Sequence, residues 1–209
     1  MEELLDLYEQ PYDADFPQLC FDERPCQLIG NQLLPLPMRP GSPQKEDYEY
    51  QRHGTCCVMM AVEPLRGWRM VRVFRRRTKK EYARFMKELA RHYPQAKRIR
   101  LVQDNLNTHS AGSFYEVFAP EEAHRLMEKF EFHYTPKKAS WLNMAEIELA
   151  ALSKQCLDRR IGDQQTLTHE IRSWEQERNR HHTTISWRFT IHQARKTMAR
   201  HYTNLKHSS

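Results

Sequence analysis

Three carboxylates stand where chemistry is expected. Asp22 closes the short apolar run of residues 16–21 (FPQLCF), Asp104 follows the compact apolar run of residues 99–102, and Glu146 lies near the start of a helical pattern. Carboxylates are hard oxygen ligands, and a few of them suffice for Mg²⁺, which keeps several of its waters. Two such ions roughly 4 Å apart activate the attacking oxygen and stabilise the leaving one in an in-line displacement at phosphorus. In an open sheet the carboxyl ends of strands line the ligand crevice. Two aspartates on neighbouring strand ends repel each other unless a cation sits between them. The plainer alternative is a pair of loop acids, since Asp favours turns.

Glu146 is more informative. Leu142, Ala145, Leu149, Leu152 and Cys156 recur at spacings of three and four, the apolar stripe of a helix expected over residues 142–157. Glu146 falls on or beside that stripe, whereas Glu148, rotated from it by about 200°, is expected to point away. A charged carboxylate facing a core is costly unless paired or metal-bound. Glu146 is therefore either a ligand or a stripe-edge acid paired with Lys154 or an arginine.

The elements that must hold these acids can be read outward from them. Residues 1–15 read as an N-terminal arm or short acidic helix, and 16–21 as a strand. Residues 33–44 carry Pro35, Pro37, Pro40, Gly41 and Pro43 and form a loop. Residues 53–62 and 67–74 make a hairpin. Thr78 and Glu81 have capping-box spacing and open a helix from Lys79 to about Tyr93, with Tyr82, Phe85, Met86 and Leu89 inward. After the strand at 99–102 come a helix at 120–130 starting on Pro120, a strand at 132–134, and helices at 142–157, 166–179 and 190–203. The order predicts an α/β fold, a mixed five-stranded sheet flanked by helices with additional C-terminal helices.

The 209 residues, 39% of them hydrophobic, are enough for one folded domain with an appendage and argue against a disordered tail. The net charge of +6 favours a polyanionic partner. Cys20, Cys26, Cys56, Cys57 and Cys156 lack zinc-ligand spacing, and their odd number fits reduced cytosolic thiols. No apolar run reaches the ~18 residues of a membrane span, and no secretory leader is evident. Neither a GxSxG elbow nor a phosphate-binding Gly-rich loop occurs. Positive charge clusters at Arg75, Arg76 and Arg77, at Lys137 and Lys138, at Arg159 and Arg160, and at Arg178, Arg180, His181 and His182. Each is either a solvated charged turn or a contact to a phosphate backbone. Lys137 and Lys138 are the best DNA candidates because they precede Glu146. Trp141 either stacks on an unpaired base or, the commoner use, anchors a core.

Three blocks, Phe21-Asp22-Glu23, Gln103-Asp104-Asn105-Leu106-Asn107-Thr108-His109, and Tyr134-Thr135-Pro136 with Ser140-Trp141-Leu142-Asn143-Met144-Ala145-Glu146, resemble the catalytic blocks of bacterial insertion-sequence transposases of the mariner superfamily. The likeness runs from about residue 16 to the end. It implies an RNase H-like catalytic domain over residues 16–160, with a C-terminal helical extension over 161–209 packed on it. It implies two Mg²⁺ or Mn²⁺ ions on Asp22, Asp104 and Glu146, and cleavage and joining of transposon-end DNA. Asn105, His109 and Asn143 match motif positions and support the site, His109 either contacting phosphate, orienting its loop or acting as a plain capping residue. The interval between the last two acids, residues 105–145, is longer than is common in that superfamily, and an extra helix over 116–130 is expected to fill it. Only 21 residues precede Asp22, so the family's N-terminal helix-turn-helix is not expected within this sequence. The implied partners are therefore double-stranded DNA, an upstream helix-turn-helix region joined by frameshifting, and a second copy of the chain, in a nucleoid-associated cytoplasmic setting. The rival readings are an inactive DNA-binding remnant and a structure-selective nuclease of the same fold.

Overall fold

The computed structural model describes residues 1–33, 38–42, 47–110 and 112–199. Five strands, β1 (Gln18–Asn31), β2 (Tyr50–Glu63), β3 (Trp68–Phe74), β4 (Ile99–Gln103) and β5 (Phe130–Tyr134), form one sheet in the order β3-β2-β1-β4-β5. The pairs β1–β2 and β2–β3 are antiparallel, and β1–β4 and β4–β5 are parallel. Parallel neighbours need crossover connections, supplied by α2 (Lys79–His92) between β3 and β4 and by α4 (Pro120–Lys129) between β4 and β5. This is the mixed sheet the sequence predicts.

Strand alternation divides the helices between the two faces. Leu19 and Phe21 of β1, Met59 and Ala61 of β2, and Leu101 of β4 pack under α2, the short α3 (Gly112–Tyr115) and α4. Val58 and Met60 of β2 and Val71 of β3 face α5 (Ala145–Gln155) and α6 (Gln164–Arg180). Beside them Cys20, Val62 and Val102 meet the start of α5, α1 (Glu2–Glu9) and α7 (Ile191–Thr197).

Several boundaries differ from expectation, each for a physical reason. The first strand does not stop at Phe21: β1 runs on to Asn31 because β2 supplies ladder partners for its polar half, from Asp22 opposite Met60 to Asn31 opposite Tyr50. The expected arm at 1–15 contains α1, whose Leu4, Leu5, Leu7 and Tyr8 are buried and whose Tyr8 hydroxyl donates to the Leu142 carbonyl at 2.7 Å. The helix expected at 116–130 forms only as α4 from Pro120 to Lys129, the short α3 lies before it at Gly112–Tyr115, and Phe130 already belongs to β5. The helix expected from 142 begins only at Ala145, after a 3₁₀ turn at Ser140–Leu142. Asn143 sets that start, its side-chain oxygen accepting from Ala145 N at 3.1 Å.

Asp163 caps α6 by accepting from Thr166 N at 2.8 Å, and Thr190 with Gln193 closes a full capping box on α7. The part of the last helix expected at 200–203 lies outside the described residues, as do 34–37 and 43–44 of the expected loop. All five cysteines are free thiols. No helix among the described residues is long and apolar enough to cross a membrane.

Candidate active site

Asp22 enters the site from within β1. It stands opposite Met60 and so points to the sheet face that α5 covers, while Glu23, opposite Met59, points to the other. Asp22 Oδ1 accepts from Glu23 N at 2.8 Å. Burial pushes the Asp22 carboxyl up to about 7 against that hydrogen bond, and the charges of Glu146, Glu23 and Asp104 push the same way. Two acids remote in sequence thus lie within electrostatic range of Asp22.

Topology explains the convergence. β1 and β4 run parallel, with Cys20 beside Val102, and Asp22 and Asp104 each lie two residues further along. Glu146 approaches from above, exposed in the first turn of α5. Asn143 fixes that approach, because its buried amide donates to Phe21 O at 2.7 Å while its oxygen starts the helix. One side chain therefore ties the strand residue before Asp22 to the turn that presents Glu146. None of the three acids pairs with lysine or arginine among the described residues, and no three His, Cys, Asp or Glu side chains there are drawn together to metal-ligand geometry.

His109 meets Asp104 from behind. Its ring is 1% exposed, with Nδ1 2.5 Å from Asp104 Oδ1 and Nε2 2.7 Å from Glu23 Oε2. Burial opposes a charged imidazole, but the bonds and charges of Asp104 and Glu23 win and raise His109 to about 9. Phe21 packs edge-on and Tyr82 stacks against the ring, at centroid distances of 5.2 and 5.0 Å. The loop itself is pinned by buried Gln103, which accepts from the Tyr82 hydroxyl at 2.8 Å and donates to His109 O at 3.1 Å. Of the expected supporting residues, Asn143 and His109 are built into the site, whereas Asn105 is exposed and in no hydrogen bond among the described residues.

Sequence reasoning missed two features. Glu148, expected to point outward, is buried at 1% and paired with Arg69 at 3.1 Å and Arg178 at 2.6 Å. It lies three residues after Ala145 and four before Leu152, so it shares their stripe. The partners that make this tolerable sit on β3 and α6. Glu23 was missed as well, although alternation along β1 sets it on the apolar face of Leu19 and Phe21.

The basic clusters fare differently. Lys137 and Lys138 are exposed in the connection before α5 and are in no ion pair among the described residues, as are Arg75 and Arg76 after β3. Arg77 pairs with Glu23 at 3.3 Å. Arg159 is paired with Glu170, and Arg160 donates to Asn31 Oδ1 at 3.0 Å and to the Asp47 carbonyl at 2.6 Å, linking the end of β1 to the residues just before β2. Arg180 and His181 both pair with Glu177. Trp141 is 42% exposed and not a core anchor; it lies against Trp187 and Phe189 at 6.4 and 5.4 Å.

Among solved structures, the Mos1 mariner paired-end complex with Mn shares this fold with a TM-score of 0.59 at 14% identity, over 87% of this chain and 54% of that one. The Mos1 strand transfer complex matches equally (0.59, 14%, 87% and 54%), and a pre-cleavage Mos1 transpososome has a TM-score of 0.56 at 13% identity over 87% and 59%. The chain thus spans little more than half the length of those proteins, and the likeness establishes the RNase H-like sheet and its helices. No curated protein matches by sequence. Residues 17–168, a stretch that includes all three acids, match the family described as DDE superfamily endonuclease. The chain belongs to the DDE superfamily endonucleases.

Proposed function

We propose that the chain is the catalytic domain of a DNA transposase, cutting transposon-end DNA and joining it to target DNA with divalent metal held by Asp22, Asp104 and Glu146. The observation that carries this reading is topological: Asp22 and Asp104 lie two residues beyond the paired Cys20 and Val102 on the parallel neighbours β1 and β4, and Glu146 stands in the first turn of the helix that covers that face of the sheet. Carboxylates on such neighbouring elements repel one another unless a cation sits between them. The donor set fits Mg²⁺ or Mn²⁺ in its chemistry: three hard carboxylates, none of them paired with lysine or arginine among the described residues. Bound there, two ions supply Lewis-acid stabilisation and a deprotonated nucleophile.

Asp104 would hold the ions centrally, and Asp22 and Glu146 would complete the set of protein ligands. Lys137 and Lys138, exposed beside α5 and in no ion pair among the described residues, hold the phosphodiester backbone. Arg75 and Arg76 extend that track from the end of β3. Water would first hydrolyse the phosphodiester at the transposon end and free a 3′ hydroxyl, which would then attack a phosphodiester of the target and displace its 3′ oxygen. On this reading the chain works as a homodimer on two DNA ends, together with a helix-turn-helix region that reads the end sequence.

An inactive DNA-binding protein is the rival, favoured by the finding that no three His, Cys, Asp or Glu side chains among the described residues are drawn together to metal-ligand geometry. Labelled end DNA incubated with Mg²⁺ or Mn²⁺ separates the two. Asp104→Asn is expected to lower metal-dependent cleavage by at least about a hundredfold with the fold intact. Undiminished cleavage by that variant contradicts the proposal.

A further inference from the structure

Glu23 occupies an unusual position. A carboxylate 1% exposed, on the apolar face of β1, requires a partner of opposite charge. It has two: Arg77 at the surface, 3.3 Å from Oε1, and buried His109, 2.7 Å from Oε2. His109 in turn reaches Asp104 Oδ1 at 2.5 Å. The line Arg77–Glu23–His109–Asp104 therefore crosses from a 53% exposed guanidinium to the central acid of the site. It does so on the sheet face opposite the one from which Asp22 and Glu146 approach.

We infer that Glu23 is a positioning residue, acting through His109 to hold Asp104 by one oxygen and leave its other oxygen available for a metal ion. The geometry allows little else. Phe21 and Tyr82 confine the His109 ring, and the Gln103 amide fixes its backbone. With the ring so confined, Glu23 determines which nitrogen faces it and which faces Asp104. Outer partners of this kind fix the orientation and basicity of a metal-binding group, and their loss typically costs 10–100-fold in metal affinity or activity. Asp22 and Glu23, adjacent in sequence, thereby serve the same site from opposite faces of one strand. Asp22 serves it directly, and Glu23 through two further side chains.

This rests on the metal-binding reading of the triad, and the test separates the two. Mn²⁺ affinity is measured by calorimetry for the wild type, Glu23→Gln, His109→Asn and the double variant, alongside thermal stability and DNA affinity. Glu23→Gln keeps the volume of the side chain and removes its charge. It is expected to weaken Mn²⁺ binding by about tenfold or more with DNA affinity unchanged. The double variant is expected to be no weaker than His109→Asn alone, since both changes break one line; it also removes both buried charges should Glu23→Gln fold poorly. Mn²⁺ affinity equal to wild type in Glu23→Gln, with stability alone reduced, overturns the inference and leaves the triad standing. A wild type that binds no Mn²⁺ overturns the metal site and this inference together.

Discussion

At the residue scale the site is governed by protonation. His109 is raised to about 9 because two carboxylates outweigh its burial, and Asp22 is raised to about 7 mainly by burial. Both folded-state values lie above the ordinary ones, so both groups favour the folded state most at low pH. The His109 contribution is complete below about 6.5 and is lost as pH rises through about 9; that of Asp22 is lost as pH rises from about 4 through about 7. The metal-free protein is therefore expected to lose stability steadily from neutral to alkaline pH, by on the order of 3 kcal/mol for His109. Thermal unfolding as a function of pH checks this. His109→Asn should flatten the upper part of the fall, and a stability that rises between pH 7 and 9 contradicts it. Added Mn²⁺, which binds the ionised carboxylate, should offset the lower part.

At the element scale, what was legible in the sequence is what local patterning determines. The stripe Leu142, Ala145, Leu149, Leu152 and Cys156 is buried as read, and Thr78 does cap α2 through Lys80 N at 3.2 Å. What escaped depends on partners distant in sequence. β1 is extended by β2, and Glu148 is buried because Arg69 and Arg178 meet it. The three-residue network joins α5, β3 and α6, and Asn179 adds to it by donating to Arg69 O at 2.8 Å. Removing one member of a buried pair leaves an uncompensated charge and costs roughly 3–5 kcal/mol. Glu148→Ala is accordingly expected to be far more destabilising than Glu146→Ala, although only Glu146 belongs to the proposed metal-binding triad. Chemical denaturation of the two variants reads the difference, and equal stabilities would show that the Arg69–Glu148–Arg178 network does not hold α5 in place.

At the scale of the whole molecule, the sheet order places the strand ends of β1 and β4 side by side and lays α5 across them. The site is thus a consequence of topology: two acids on parallel neighbours, and a third on the helix that covers the same face. The sequence announced the acids through the blocks around them. It gave little warning of the support from behind, since Glu23 reads as a bare neighbour of Asp22, and only strand alternation sets it beneath α2. The central claim is that three distant acids form one cation site. It is tested most directly by calorimetric titration of Mn²⁺ into the wild type and into Asp22→Asn, Asp104→Asn and Glu146→Gln at pH 8, above the raised carboxyl of Asp22. Saturable binding by the wild type that weakens at least about tenfold in every single variant is the result this structure predicts. Unchanged affinity in any two of the three would contradict it.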